Sequence, residues 1–209
     1  MGQAAALAPG HRVLSLACGA GDELALWVDT FGAAEAAGTE RDPEAAALAG
    51  RFVGPRVSMS ATPPAGPFDA VLCVDAAYHL SPRTGFIAQA FAALHPGGRL
   101  AFTDLVLDGR ASPLLQGAAR LCGVPAGDLT DVASRLAQLR VAGFDELHAE
   151  RLDEAVLGGF AAFARQQRAR LGRHAWAPGW QRAAVTAALV APCRAAGLGY
   201  ALYSGRKPG

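Results

Sequence analysis

The sequence predicts an α/β fold, a mostly parallel sheet with helices on both faces, on three observations. Short apolar runs alternate with segments of helical periodicity. A turn of small residues, Ala17-Cys18-Gly19-Ala20-Gly21-Asp22, joins the first such run to the first helical segment. Phe68-Asp69-Ala70-Val71-Leu72-Cys73-Val74 is apolar on consecutive positions, the mark of a strand covered on both faces.

Taken in order, the first strand spans about Arg12 to Leu16. Glu23 to Phe31 reads as a helix because Leu24, Trp27, Val28 and Phe31 share one face. Ala33 to Glu40 is a weaker second strand, and Pro43 opens a short helix through about Arg51, proline being suited to the first helical position. Arg56 to Met59 is a third strand, ended by Pro63-Pro64 and Gly66-Pro67. After the strand at Phe68 to Val74, Thr84 to Leu94 is a helix with Phe86, Ile87, Ala90, Phe91 and Leu94 on one stripe, stopped by Pro96-Gly97-Gly98. Arg99 to Val106 is the fifth strand. Beyond it, Leu129 to Val141 reads as a helix and Glu146 to Leu152 as a strand. Asp153 to Leu171 and Gly179 to Ala195 read as helices, and Tyr200 to Ser204 as the last strand. Nothing resembling a repeat or linker interrupts this, so residues 1–209 are expected to form one domain.

A chain of 209 residues suffices for one such domain with a substantial core. The formal net charge of +1 offers no global field to collect nucleic acid or anionic lipid, and Lys207 is the only lysine. Cys18, Cys73, Cys122 and Cys193 lie far apart, with no CxxC pair and no Cys/His group at zinc spacing. Free thiols in a reducing cytosol and no metal are expected. The first residues carry no charged leader, and no uncharged stretch reaches the roughly 18 residues that cross a bilayer. A soluble, cytoplasmic monomer or homodimer is expected, with no membrane or nucleic-acid partner.

A turn of small residues between strand and helix lets a ligand lie against bare backbone at the carboxyl edge of a sheet. Gly19 and Gly21 alone are a common pattern. A dinucleotide fingerprint would place its third glycine at residue 24, where Leu24 stands. Asp22 and Glu23 stabilise the helix dipole but would repel a pyrophosphate. They suit a cofactor with a sulfonium and an ammonium group. About twenty residues on, Glu40 in Gly38-Thr39-Glu40-Arg41-Asp42-Pro43 is spaced to accept both hydroxyls of an adenosine ribose; the plain alternative is an exposed strand-end acid.

These pieces, in this order, resemble the class I S-adenosylmethionine-dependent methyltransferases of the small-molecule type. The resemblance covers about residues 11–107. It rests on Leu14-x-Leu16-Ala17-Cys18-Gly19-x-Gly21, Gly38-x-Glu40, Phe68-Asp69-x-Val71 and Leu94-x-Pro96-Gly97-Gly98-Arg99-Leu100. Leu139-x-x-Ala142-Gly143-Phe144 and the segment from Tyr200 to Pro208 resemble the end of such domains. The resemblance implies a Rossmann-like, doubly wound, seven-stranded mixed sheet in the order 3-2-1-4-5-7-6, the last strand antiparallel. It implies S-adenosyl-L-methionine as cofactor and S-adenosyl-L-homocysteine as product. Cofactor contacts are then expected from Ala17, Cys18, Gly19, Gly21, Asp22, Glu40, Arg41, Ser60, Ala61, Asp75 and Tyr78. Three positions depart from the family pattern, which usually has an acid where Ser15 stands, glycine where Ala17 stands, and often aspartate where Ser60 stands. Ala17 fits only if the loop avoids positive φ there. The front end ahead of the first strand, some ten residues, is shorter than many relatives carry.

Asp75-Ala76-Ala77-Tyr78-His79 follows the fourth strand, and Asp104 stands at the carboxyl end of the fifth. His79 is the candidate general base, with Asp104 holding its tautomer. The plain alternative is that His79 caps the next helix and Asp104 pairs with an arginine. Asp75 is assigned to the amino-acid end of the cofactor, and Tyr78 to the pocket wall or the core. The segment at about 108–129 reads as a helical insert whose Leu114, Leu115, Leu121 and Val124 would cover an apolar acceptor pocket. Phe160, Phe163, Trp176 and Trp180 are aromatic walls or plain core. The expected reaction is methyl transfer to a small, fairly apolar metabolite, with oxygen favoured and nitrogen or carbon open. A catalytically degenerate S-adenosylmethionine-binding subunit and a nicotinamide-dependent oxidoreductase are the alternatives.

Overall fold

A computed structural model describes residues 1–171, 174 and 177–209. Among these, seven strands form one sheet: Arg12–Leu16 (β1), Glu35–Thr39 (β2), Val57–Ser60 (β3), Phe68–Cys73 (β4), Leu94–Leu107 (β5), Asp145–Arg151 (β6) and Leu198–Arg206 (β7). Their order is β3-β2-β1-β4-β5-β7-β6, as expected. The strands β3, β2, β1, β4 and β5 pair in parallel. Gly97 donates its N–H to the carbonyl of Lys207 at 2.8 Å, and Lys207 returns one to Gly98 at 2.8 Å, so β7 runs antiparallel to β5. The helices are Asp22–Asp29 (α1), Pro43–Ala49 (α2), Arg83–Ala93 (α3), Pro113–Leu121 (α4), Val132–Val141 (α5), Gly159–Leu171 (α6) and Pro178–Ala195 (α7).

The residues divide into two compact units. The first comprises Met1–Asp104, Ala133–Ala149 and Leu202–Gly209. Its core gathers Val13, Leu24, Trp27, Val28, Ala36, Val57, Ala70 and Leu72, so the helical stripe read from the sequence is the face that α1 buries. Gly21, at φ 80°, starts α1, while Asp42 starts α2 by accepting the Ala45 N–H at 2.9 Å. One boundary differs from expectation. Pro96-Gly97-Gly98 does not stop a helix but lies inside β5, because Leu94 already pairs with Phe68. What ends α3 is Lys207, whose ammonium donates to the carbonyls of Phe91 (2.9 Å) and Leu94 (2.6 Å) and lies 4.7 Å from the Phe91 ring centroid.

The second unit comprises Leu105–Val132 and Glu150–Ala201. Ser112 caps α4 by accepting the Leu115 N–H at 3.3 Å, and Leu115 packs with Leu107 and Cys193. Within the expected insert, Leu115 and Val124 are buried while Leu114 and Leu121 are exposed. The helix expected from Leu129 begins only at Val132, since Thr130 bridges Val106 and accepts the Leu107 N–H at 3.0 Å. Arg151 ties Asp108 to Asp153, both at 2.9 Å. Asp153–Gly158 forms a π-helical turn ahead of α6. Phe163 is half exposed, its ring 6.3 Å from that of Trp180; Trp176 lies outside the described residues. Among the described residues, no helix is long and apolar enough to cross a membrane.

In the first unit a charged cluster is fully buried. Asp104, 0% exposed, pairs with Arg83 and Arg135, each 1% exposed and each at 3.0 Å. Removing the acid strands two buried guanidiniums, and breaking such a pair costs about 3–5 kcal/mol. Asp104→Asn is therefore expected to lower the free energy of unfolding by that amount, read from urea titrations at a common m-value.

At the opposite sheet edge, His95 Nε2 lies 2.7 Å from Asp69 Oδ1, and the Arg12 N–H donates to Asp69 Oδ2 at 2.7 Å. The hydrogen bond to Asp69 holds the His95 imidazole above its ordinary range, helped by the Pro96 carbonyl. Burial raises the Asp69 carboxyl, but the Arg12 amide and His95 outweigh it and hold it below its ordinary value. The His95 contribution is thus complete below the unfolded imidazole value of 6.5 and lost as pH rises through the raised folded value. The Asp69 contribution is present above 3.8 and lost as pH falls through the lowered folded value. His95→Gln is expected to lower Tm most between those two limits, with the deficit shrinking as pH rises through the raised imidazole value.

Candidate functional site at the carboxyl edge of the sheet

The loop after β1 is built from left-handed backbone. Ala17, Gly19 and Gly21 have φ of 53°, 55° and 80°. The condition under which Ala17 would fit without strain, a loop that avoids positive φ there, is not met. A residue with a Cβ pays about 1 kcal/mol there, and the conformation is imposed by β2. Ala17 N–H donates to Thr39 Oγ1 at 3.3 Å, and Cys18 N–H to the Thr39 carbonyl at 2.9 Å. Glycine is needed at position 21, where a Cβ would lie 2.8 Å from that of Ala49. It is needed equally at position 38, where a Cβ would lie 2.8 Å from both Cys18 Sγ and Leu24 Cδ1. Over Gly19 a Cβ would meet nothing within 4 Å, so that face of the loop is open. Cys18 is buried, and burial, with Glu23 and Glu40 adding, pushes its thiol up to about 12.

Three acids surround the loop and behave differently. Glu40, half-buried at the end of β2, accepts the Gly19 N–H on Oε2 at 3.0 Å. Its Oε1 takes the N–H groups of Arg41 (2.7 Å) and Asp42 (2.8 Å). Glu40 therefore fastens the loop to β2 as well as presenting a carboxylate. Asp22 is exposed and pairs with Arg51 at 3.0 Å. Glu23 turns inward and receives a short hydrogen bond from the buried hydroxyl of Ser15. Burial lifts the Glu23 carboxyl to about 7, the Ser15 bond opposing the rise and Asp22 adding to it. The sequence reading grouped Glu23 with Asp22 as paired acids at the helix start and did not pair it with Ser15. The signal was available: serine stands where an acid is usual, and an acid stands eight positions on. Arg41, Ser60 and Ala61 border the same edge from β2 and β3. Arg41 is exposed just past the strand end, Ala61 is exposed, and the Ser60 hydroxyl donates to the Thr62 carbonyl at 2.5 Å.

After β4 the chain turns at Asp75, φ 52°, whose N–H donates to Thr103 Oγ1 at 2.8 Å and whose Oδ1 accepts the Tyr78 hydroxyl at 2.7 Å. Ala77–His79 forms a 3-10 turn, and the exposed His79 ring lies 4.6 Å from that of Tyr78. No side chain caps α3, whose N-terminal boundary residue is Pro82. Arg83 joins this turn to β5: it pairs with Asp104 while donating to the carbonyls of Tyr78 (3.2 Å) and Leu80, which flank His79. The pairing of Asp104 with arginine is the alternative that the sequence left open.

The sheet order is that of the class I methyltransferase fold. Among solved structures, phosphoethanolamine N-methyltransferase 2 of Haemonchus contortus, in complex with phosphomonomethylethanolamine and S-adenosylhomocysteine, matches with a TM-score of 0.84 at 16% identity. That match covers 99% of this chain and 52% of the other. The [4+2]-cyclase SpnF matches with a TM-score of 0.77 at 23% identity, over 99% of this chain and 79% of the other. At these identities the likeness is one of fold. Erythromycin 3''-O-methyltransferase of Saccharopolyspora erythraea is 28% identical over an alignment of 177 positions, covering 75% of this chain and 58% of that protein. The chain thus spans little more than half the length of that curated relative. The family description of a methyltransferase domain matches residues 3–151. By that match, over well more than half its length, the chain belongs to the methyltransferase domain family.

Proposed function

We propose that the protein transfers a methyl group from S-adenosylmethionine to a small, fairly apolar metabolite, with oxygen as the favoured acceptor atom. One observation carries this reading: the left-handed loop at the end of β1, open over Gly19 and fastened to Glu40. The residues present suit the cofactor. Gly19 leaves room where a Cβ would stand, and among the described residues no basic side chain pairs with Glu23 or Glu40. With three amides already bound, the Glu40 carboxylate keeps acceptor capacity on Oε2 for a ribose hydroxyl. The Ser60 hydroxyl gives its proton to Thr62 and offers its oxygen to an amino group.

The cofactor supplies a methyl group already activated on positively charged sulfur, so the protein's work is alignment and proton removal. His79 would take up the proton that the acceptor hydroxyl gives up on receiving the methyl group. Asp104 acts on His79 through Arg83, which grips the carbonyls on either side of it. The oxygen preference is supported by the 28% identical relative, itself named an O-methyltransferase.

Titration calorimetry is expected to show S-adenosylmethionine and S-adenosylhomocysteine binding and NADH not binding. No heat from either sulfur compound overturns the reading. With a panel of hydroxylated metabolites, His79→Ala is expected to keep cofactor affinity and cut S-adenosylhomocysteine formation about a hundredfold or more. An unchanged rate dismisses His79 as the base.

A further inference from the structure

Glu23 belongs to the first turn of α1, where a side chain normally reaches water, yet its carboxyl lies under the loop. Ser15, fully buried on β1, donates to Oε1, and Oε2 has no hydrogen-bond partner among the described residues. The titratable groups acting around it are Asp22 on its own turn, Cys18 in the loop and Cys73 at the end of β4. Glu40, on β2, acts on Cys18 as Glu23 does, and Asp75 and Asp104 act on Cys73. The cations nearby are committed elsewhere: Arg51 to Asp22, and Arg83 to Asp104. Glu23 is thus a desolvated acid with one hydrogen bond and no counter-charge, at the edge where the open face of Gly19 lies. Its carboxyl is lifted to about 7, chiefly by burial, which brings its titration into the neutral range.

We propose that Glu23 is a proton-linked counter-charge for the cofactor cation, binding it as carboxylate and returning to the acid once the sulfur has become neutral. On loading, Glu23–COOH plus the sulfonium compound gives the bound carboxylate–sulfonium pair and one proton in solvent. After transfer, the thioether carries no charge at sulfur and the carboxyl recovers a proton from solvent. This rests on the methyl-transfer reading above. A nearby opposite charge favours the ionised form, and its loss restores the neutral one. The arrangement discriminates cofactor from product by charge. Because the ionised form binds the cation, affinity for S-adenosylmethionine rises with pH through about 7 and levels off above it, relative to S-adenosylhomocysteine.

The test is calorimetry near pH 7 in phosphate and in Tris, whose different ionisation heats count protons. Wild type is expected to release up to about half a proton per S-adenosylmethionine bound and markedly fewer for S-adenosylhomocysteine. Glu23→Gln keeps a partner for Ser15 and is expected to erase the difference. Ser15→Ala, an independent variant, removes the hydrogen bond that favours the charged form and is expected to increase the release. Equal proton counts for the two compounds in wild type, or an unchanged difference in Glu23→Gln, overturn the inference while leaving the methyl-transfer reading in place. No heat from either compound overturns both.

Discussion

Asp104 carries a full charge into the interior at the end of β5, and two arginines from distant parts of the chain follow it there. Burying any of the three alone would cost several kcal/mol per ion. Together they satisfy one another, and Arg135 also donates to Gln138 Oε1 at 2.5 Å. The position of α3 and of the turn around His79 depends on this cluster, because Arg83 uses its remaining N–H groups on the carbonyls of Tyr78 and Leu80. A charge network that is costly to disturb makes a rigid base for an exposed imidazole on a short turn.

The same carboxyl edge holds a second electrostatic region of the opposite kind. Around the β1 loop the acids outnumber the available cations: Glu40 is spent on backbone amides, and Glu23 on a serine hydroxyl. The surplus is tolerated because Glu40 is held by three N–H donors, and Glu23 can shed its charge by taking up a proton. Ser15 and Glu23 are best understood as a matched pair. A carboxylate on β1 at position 15 would face Glu23 directly, and two desolvated acids at hydrogen-bond distance would repel. Serine in the strand and glutamate in the helix bring one carboxyl under the loop from the other side.

The left-handed Ala17 shows how far a local preference can be overruled. Alanine disfavours this backbone, but two hydrogen bonds to Thr39 and the bare backbone of Gly38 leave the loop little choice. β5 makes the same point at larger scale. Proline and two glycines after a helical stripe read locally as a stop, yet in the structure they are strand residues, lying where the register with β4 shifts between the Phe68–Leu94 and Ala70–Arg99 pairs and hydrogen-bonded to Lys207 of the C-terminal strand. The helix ends instead where the single lysine, more than a hundred positions away in sequence, reaches its last carbonyls.

The sequence alone determined the order of strands and helices, the buried face of α1, the loop and Glu40 as the elements of the candidate site, and the family resemblance. All of these follow from periodicity and turn chemistry acting over a few residues, or from short motifs in a fixed order. Only the tertiary structure decided that Glu23 points inward, that Asp104 is claimed by Arg83 and Arg135, that Ala17 is left-handed, and where α3 and α5 begin and end. Each of these depends on a partner at least eight residues away, usually far more. Local sequence sets what a residue can do, but a buried charge or a strained turn is settled by which distant group the fold brings against it.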